Sequence, residues 1–291
     1  MPIRIPDNLP AARTLETEGV MVMDSSRAAR QDIRPLSIGL LNLMPNKERT
    51  ETQFSRLIGA TPLQVDLTLV RITDHKSKHT SEDYLKTFYK TWEEVRRHKF
   101  DGFIVTGAPI AHIPFEEVRY WPEMVDIMNW TQTNVHHTMF ICWGAQAALH
   151  HFHGVKRRRM AQKAFGVYRH KIVAPRSPWL RGFSDSPMVP VSRYNDIDRA
   201  SLTPDLPILI DNEEIGLCML DDPKHRAVHM LNHLEYDNRS LADEYDRDVK
   251  AGLTPALPVH LFPNDDPSAE PENRWRSHAH LLFQNWINEI Y

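Results

Sequence analysis

The chain has 291 residues, of which 41% are hydrophobic and 25% are charged, and these proportions exclude disorder across the whole chain. Lys plus Arg (35) and Asp plus Glu (38) nearly balance, which leaves a formal net charge of −3. That balance argues against a general nucleic-acid binder, so we predict no nucleic-acid partner. Residues 1–20 contain prolines and charges in place of an apolar leader, and the longest apolar stretch, 139–149, is too short to span a bilayer. We therefore predict a cytoplasmic protein with no membrane partner.

The alternation of apolar and amphipathic segments predicts the fold class. Residues 1–35 are polar and contain several prolines, so we expect an extended N-terminal arm, followed by a single α/β domain over residues 36–291. In chain order, the patterns predict strand 37–43, helix 50–58, strand 63–72, helix 81–97, strand 100–105, helix 115–134, strand 138–141 and helix 145–153. A break of the helix over 115–134 at Pro122 remains open. Four successive βα units predict a doubly wound α/β domain, in which a mostly parallel sheet carries helices on both faces.

The rest of the chain predicts elements that complete this sheet. The predicted strand regions are 166–173, 207–220 and 227–231, the predicted helices are 240–250 and 278–290, and residues 255–272 form a proline-rich acidic surface loop. We expect the strands to close the sheet or to add hairpins. The sequence contains no internal repeat and no low-complexity tract.

Cys142 lies where a strand is predicted to turn into a helix. It stands between the apolar residues 138–141 and a segment of small residues, a pattern typical of a nucleophile elbow. In such a turn the helix N-terminus favours the thiolate, and the following backbone N–H, that of Trp143, faces a developing oxyanion. The alternative is a buried, inert thiol. Cys218 has no such turn, and we predict that it belongs to the core.

His233 and Glu235 are candidates for the base and for the group that orients it. They follow the predicted strand 227–231, and residues i and i+2 of an extended chain share a face. A carboxylate in that position would fix the imidazole tautomer while the second ring nitrogen reaches a thiol. The alternative is an accidental surface pair, because the chain contains 16 histidines.

Two further patterns carry less information. The histidines of segment 150–153 have no thiol or carboxylate at zinc-like spacing, so we predict no metal site. The basic run Lys156–Arg159 is typical of a solvated face, and its alternative role is to contact the phosphates of a nucleotide-like cofactor. The chain contains neither a dinucleotide-binding glycine motif nor a P-loop.

Several segments together match one known pattern. They are Leu41-Asn-Leu-Met-Pro-Asn-Lys47, Thr106-Gly-Ala-Pro109, Tyr120-Trp-Pro122, Cys142-Trp-Gly-Ala-Gln146, Ser192-Arg-Tyr194, Glu244-Tyr-Asp-Arg-Asp248 and Trp275-Arg-Ser-His278. On these segments the chain resembles, from about Pro35 to its end, the homoserine O-succinyltransferase family of methionine biosynthesis. The resemblance implies a flavodoxin-like fold similar to class I glutamine amidotransferases. It also implies ping-pong transfer of an acyl group, with succinyl favoured, from acyl-CoA to the hydroxyl of L-homoserine.

The resemblance further implies the catalytic residues and the partners. Cys142 would carry the acyl thioester, His233 would act as the base and Glu235 would orient it, while Lys47 and Trp143 would stabilise charge at the thioester oxygen. No cofactor would be bound permanently, since acyl-CoA serves as a co-substrate. The protein is expected to form a homodimer.

The homoserine and acyl pockets follow from the same comparison. Lys163, Ser192 and Arg247 would contact homoserine, with Arg247 suited to bidentate binding of the α-carboxylate. Ala111 stands where relatives carry Gly or Glu, and its small, neutral side chain leaves room for a succinyl group. Leu234 stands between His233 and Glu235, where many relatives carry Pro.

Three alternatives remain open at this stage. The first is a homoserine O-acetyltransferase that uses acetyl-CoA. The second is a glutamine amidotransferase, although that class normally has Gly two residues before the nucleophile, where this chain has Phe140. The third is a non-catalytic protein with Cys142 as a redox sensor, which would not need Lys47, Lys163 and Arg247.

Overall fold

A computed structural model describes residues 3–20, 22–23, 34–74 and 80–291. Its main sheet consists of eleven strands within those residues. The strands are β1 (Ile3–Arg4), β2 (Val22–Met23), β3 (Leu36–Leu41), β4 (Val65–Arg71), β5 (Lys90–Thr91), β6 (Phe100–Val105), β7 (Val135–Ile141), β9 (Lys171–Ile172), β11 (Ile208–Asp211), β12 (Met219–Asp222) and β13 (Ala227–Met230). A separate pair, β8 (Arg157–Arg169) and β10 (Met188–Ile197), forms an antiparallel two-stranded sheet.

The main sheet is parallel over most of its width. Its order is β2-β1-β4-β3-β6-β7-β13-β12-β11-β9, with β5 beside β4. Strands β1 to β7 and β13 pair in parallel, whereas β12, β11 and β9 extend the sheet with antiparallel pairs. The predicted doubly wound, mostly parallel α/β fold is confirmed.

Helices cover both faces of this sheet. They are α1 (Ala11–Thr17), α2 (Lys47–Ile58), α3 (Glu82–Phe88), α4 (Trp92–Val95), α5 (Trp121–Asn134), α6 (Trp143–His153), α7 (Ser240–Lys250) and α8 (Arg276–Ile290). Successive strand residues point to opposite faces, so Leu40 packs in the apolar layer that contains α8, and Leu41 packs in the layer that contains α5. No helix in the described part of the chain is long and apolar enough to cross a membrane.

The N-terminal segment differs from the predicted extended arm over 1–35. Its described residues include β1, which pairs with β4, and the helix α1, which begins directly after Pro10. Ile3, Leu9 and Leu15 are fully buried in the main core. Their apolar side chains add this segment to the edge of the sheet, because burial outweighs the local effect of the prolines.

The predicted single helix over 81–97 is also wrong. The chain leaves the helix at Tyr89, and β5 pairs with the end of β4 before a second helix begins. Thr91 caps that second helix, and its side chain and that of Glu94 form a reciprocal capping box. Pairing with a neighbouring strand therefore overrides the helical periodicity of the sequence.

Two smaller differences concern segments 115–134 and 166–173. The first separates into a short 3₁₀ turn, Phe115–Glu117, and the helix α5, in which Pro122 occupies the first turn. The second belongs to the much longer strand β8, which also takes up the basic run after residue 156. Its partner strand β10 was not predicted.

Candidate active site

Cys142 occupies a sharp turn between β7 and α6. Its φ of 51° and ψ of −112° lie in a region that a residue with a side chain rarely adopts, and the helix begins at the next residue. Two hydrogen bonds hold the turn, because its N–H donates to the Met230 carbonyl at 2.7 Å and its carbonyl accepts from the Gln146 N–H at 3.0 Å. The predicted strand–turn–helix geometry at Cys142 is thus present.

Glycines make room for this turn. A Cβ on Gly144 would lie 2.8 Å from the Thr106 carbonyl oxygen, so only glycine lets α6 start this close to the end of β6. A Cβ on Gly107 would lie 3.6 Å from the Cys142 sulfur and 3.8 Å from Cε1 of His233. The Cys142 thiol and the His233 imidazole therefore both lie next to Gly107.

His233 and Glu235 form a buried pair beside the thiol. His233 Nδ1 lies 2.7 Å from a Glu235 carboxylate oxygen, and the His233 backbone N–H donates to the Pro190 carbonyl at 3.0 Å. The imidazole stacks on Tyr236, with ring centroids 4.2 Å apart. Leu234 between them is buried in the core, so leucine at this position is compatible with the contact.

The charge state of His233 follows from these neighbours. Burial by itself would lower the pKa of His233, but the Glu235 carboxylate and the adjacent Cys142 outweigh it and raise that pKa to about 10. The imidazole is therefore protonated near neutral pH. A positive imidazole next to the sulfur is the arrangement that stabilises a thiolate.

Cys218 lies away from this group. It is fully buried in the main core, and burial raises the pKa of its thiol to about 12. The prediction that Cys218 is a core residue is confirmed.

A cavity of about 500 Å³ opens around Cys142. Its lining includes four of the other residues predicted for substrate binding or donor choice, namely Ala111, Lys163, Ser192 and Arg247. Ala111 is half-buried there, and its backbone carbonyl accepts a hydrogen bond from the Asn195 side chain at 2.6 Å. The structure thus brings the predicted acyl and homoserine residues to the same cavity as the thiol.

The three residues predicted to contact homoserine lie around Glu244, a carboxylate to which the sequence assigned no role. One of its oxygens lies 2.5 Å from Lys163 Nζ, accepts a hydrogen bond from the Ser192 hydroxyl at 2.9 Å and lies 4.0 Å from Arg247. Arg247 also donates to Asp248, and its side chain is 67% exposed at the cavity mouth. One signal was present in the sequence, since Glu244 precedes Arg247 by three residues and such residues share a helix face.

Lys47 lies beside this cavity rather than in its lining. It is the first residue of α2, and its ammonium group donates to the Asn42 carbonyl and lies 5.7 Å from the Tyr89 ring centroid. Burial lowers the pKa of Lys47 to about 8, although Glu51 partly counters that effect. Lys47 lines an adjoining cavity of about 560 Å³ that shares residues such as Met44 with the first. Its role at the thioester oxygen stays a prediction.

Trp143 presents its backbone to the thiol and its side chain to the core. The indole is 2% exposed and packs against Phe115 and Tyr120. As the first residue of α6, Trp143 has a backbone N–H without an acceptor inside the helix. Its role at an oxyanion formed at Cys142 stays a prediction.

One group in the described residues could hold a metal ion, and it lies outside the lining of the Cys142 cavity. His153, Asp222 and His225 place one ligand atom each within 4.8 Å of the others. A carboxylate oxygen of Asp222 lies 2.7 Å from His153 Nε2, 2.9 Å from His225 Nδ1 and 3.4 Å from Nε2 of the buried His229. These contacts satisfy the carboxylate without a metal. Asp222 and His225 are close in sequence, but His153 comes from α6, 69 positions before Asp222, so sequence spacing could not reveal the whole group.

Comparison with known proteins gives the family. The homoserine O-succinyltransferase family profile matches residues 2–291. A protein of Pelagibacterium halotolerans named homoserine O-succinyltransferase is 77% identical over 100% of this chain and 95% of its own length. One of Rhizorhabdus wittichii named homoserine O-acetyltransferase is 62% identical over 100% of this chain and 91% of its own.

Solved structures support the fold. A glutamine amidotransferase from Thermotoga maritima is similar with a TM-score of 0.57 and 12% identity, covering 89% of this chain and 99% of the other. This likeness confirms the predicted glutamine amidotransferase-like fold. The profile match over nearly the whole chain shows that this protein belongs to the homoserine O-succinyltransferase family, as the sequence resemblance implied.

Proposed function

We propose that this protein transfers a succinyl group from succinyl-CoA to the hydroxyl of L-homoserine through a thioester on Cys142. Homoserine acyl transfer is the activity named for the family and for the similar proteins. The observation that carries the mechanism is the partly exposed thiol in a strained turn, next to an imidazole that a buried carboxylate keeps protonated.

In the first half-reaction the Cys142 thiolate attacks the carbonyl carbon of the acyl-CoA thioester. The tetrahedral oxyanion accepts a hydrogen bond from the Trp143 N–H at the start of α6. As this intermediate collapses, the C–S bond to coenzyme A breaks. The leaving thiolate takes the proton of the His233 imidazolium, so free coenzyme A departs and a neutral imidazole remains beside the acyl-enzyme.

In the second half-reaction His233 acts as a base. It accepts the proton of the homoserine hydroxyl while the oxygen attacks the Cys142 thioester, and the ester leaves as the thiolate–imidazolium pair returns. Glu235 holds the ring in the orientation that both steps need, because its carboxylate binds Nδ1 and leaves Nε2 for the substrates.

The group around Glu244 suits an amino-acid substrate. Arg247, exposed at the mouth, can bind the α-carboxylate with its planar fork, and Glu244 offers a carboxylate to the α-ammonium group. Lys163 and Ser192 hold that carboxylate in place. A zwitterion would therefore meet one opposite charge at each end.

A trapping experiment tests the proposal. Labelled succinyl-CoA without homoserine should place label on Cys142, and added homoserine should release it as the O-succinyl ester. Glutamine hydrolysis without acyl transfer would favour an amidotransferase, and oxidation of Cys142 without acylation would favour a sensor. Preference for labelled acetyl-CoA would favour the acetyltransferase, the name of the 62% identical relative.

The expected homodimer, the cytoplasmic location and the lack of a permanently bound cofactor belong to the same proposal. They rest on the family resemblance and on the sequence. Sedimentation of the purified protein tests the dimer, and full activity after dialysis against a chelator tests the cofactor prediction.

A further inference from the structure

Three consecutive arginines of β8 have different surroundings. The Arg157 guanidinium lies 3.8 Å from the Phe115 ring centroid and donates to the Ile113 carbonyl. Arg158 lies 3.4 Å from Asp196. Arg159, by contrast, lines the Cys142 cavity and makes no ion pair with any carboxylate in the described ranges. Of these three arginines, Arg159 is therefore the one that the cavity exposes to a ligand.

Tyr194 holds Arg159 at the cavity mouth. The β8–β10 register shifts at this point, since Arg193 pairs with Ala164 and Asn195 pairs with Arg159, so Tyr194 lies opposite a bulge formed by residues 160–163 of β8. Tyr194 is 42% exposed, and its ring centroid lies 4.6 Å from the Arg159 guanidinium. A guanidinium stacked on an aromatic ring is restricted in its orientation.

Two cationic side chains of the cavity lining, Lys163 and Arg159, lie beside the Tyr194 ring. Lys163, 5.4 Å from the Tyr194 ring, is neutralised by Glu244 and belongs to the homoserine group. Arg159 is more exposed, and no carboxylate in the described part of the chain neutralises it. Its guanidinium fork, held against Tyr194, therefore faces the cavity with its charge uncompensated.

The negative charges of an acyl-CoA donor lie far from its acyl group. Its acyl end must reach Cys142, while its diphosphate and ribose phosphate lie at the far end of the pantetheine arm. We propose that Arg159, stacked on Tyr194, binds a phosphate of the nucleotide part of the acyl-CoA donor. This inference rests on the proposed function. A guanidinium fork binds phosphate oxygens in a bidentate manner, which suits this pairing.

Two donors that differ only in the nucleotide test the inference. Succinyl-CoA carries the phosphates, and S-succinyl-N-acetylcysteamine carries the same acyl thioester without them. Arg159→Gln should raise KM for succinyl-CoA by about tenfold or more, the usual effect of losing a charge-assisted hydrogen bond. The same variant should keep the wild-type kcat/KM with the truncated donor, and Arg159→Lys should lie between because it keeps the charge without the fork.

Arg158→Gln provides the matched control. It removes the same charge from the neighbouring residue, whose side chain is 68% exposed and lies against Asp196. Its KM for succinyl-CoA should stay near the wild-type value. Succinyl-dephospho-CoA then separates the two sources of phosphate. If the substitution has no effect on this donor, Arg159 binds the ribose phosphate, and if the full effect remains, it binds the diphosphate.

The inference is overturned if Arg159→Gln leaves KM for succinyl-CoA unchanged, or lowers kcat/KM equally for both donors. The second result would indicate a general disturbance of the site. A wild-type protein that acylates Cys142 with neither donor would instead refute the proposed function. The two failures are therefore distinguishable.

Discussion

Replacing Glu235 with glutamine removes one negative charge from the buried His233–Glu235 pair while nearly preserving its shape. In the native protein the pKa of His233 is raised from 6.5 to about 10. That rise corresponds to roughly 5 kcal/mol of preference for the charged ring, to which the Glu235 carboxylate is a main contributor. Since burial of the imidazole persists in the variant and opposes its charge, and Cys142 is left to favour it, the pKa of His233 should fall well below its wild-type value.

The sign of the pH effect follows from this fall. The reactive thiolate–imidazolium pair survives in the wild type until the pH rises through about 10, where the ring loses its proton. In Glu235→Gln that alkaline limit should move to lower pH. Thioester formation at pH 8 should then slow by about a hundredfold or more, as expected when a catalytic histidine loses its charged partner.

Single-turnover release of coenzyme A, followed from pH 5.5 to pH 10.5, measures this limit directly because it reports only the first half-reaction. Glu244→Gln is the matched control, since it neutralises a carboxylate of the same cavity that we assign to homoserine binding. It should leave the first half-reaction and its pH profile unchanged. If the alkaline limit of Glu235→Gln stayed with that of the wild type, the carboxylate would not control the charge of His233.

Two further predictions concern the nucleophile and the homoserine site. Cys142→Ala should abolish acyl-enzyme formation and leave the circular dichroism spectrum unchanged. Cys218→Ala should retain activity, because that thiol is fully buried in the core. Equal activity in Cys142→Ala and the wild type would refute the mechanism. Arg247→Lys keeps the positive charge but loses the planar guanidinium fork, so KM for homoserine should rise. Acyl-enzyme formation should be unaffected. An unchanged KM for homoserine in both Arg247→Lys and Arg247→Ala would mean that this residue does not belong to the site.

The parts of the fold that the sequence predicted are those in which local pattern and tertiary contacts agree. Helix α7 has the predicted bounds, and the turn at Cys142 follows from an apolar strand that meets a helix of small residues. The pattern failed where a distant partner decides the conformation. Pairing of β5 with β4 interrupts the helix predicted over 81–97, and the local pattern of that segment does not indicate its partner strand.

The candidate site also contains residues that local spacing predicts and residues that only tertiary contacts bring together. The pair His233 and Glu235 is local in sequence, so spacing alone suggested it. Glu244 acquires its role only because β8 brings Lys163, and β10 brings Ser192, to the face of α7. Those contacts join residues 52 and 81 positions apart, a separation over which no sequence period carries information.

Donor choice is tested at Ala111, which lines the cavity of the thiol. Its contact with Asn195 runs through the backbone carbonyl, so a new side chain at 111 need not disturb that anchor. A glutamate there would place a carboxylate in the space that we assign to the distal carboxylate of a succinyl group. At about 4 Å and the screening of a partly buried site, two like charges repel by about 4 kcal/mol, and the cations of the cavity reduce that value.

We therefore expect Ala111→Glu to lower kcat/KM for succinyl-CoA by about a hundredfold, since each 1.4 kcal/mol or so is a factor of ten, and to spare or improve acetyl-CoA. Ala111→Gln separates the two causes, because it fills the same volume without the charge. If charge dominates, the glutamine variant should retain most of the succinyl preference, and if volume dominates, both variants should lose it equally. A wild type that prefers acetyl-CoA, or an unchanged donor ratio in Ala111→Glu, would mean that other residues set the pocket. The outcome matters beyond this chain, because proteins 77% and 62% identical to it are named for different acyl donors.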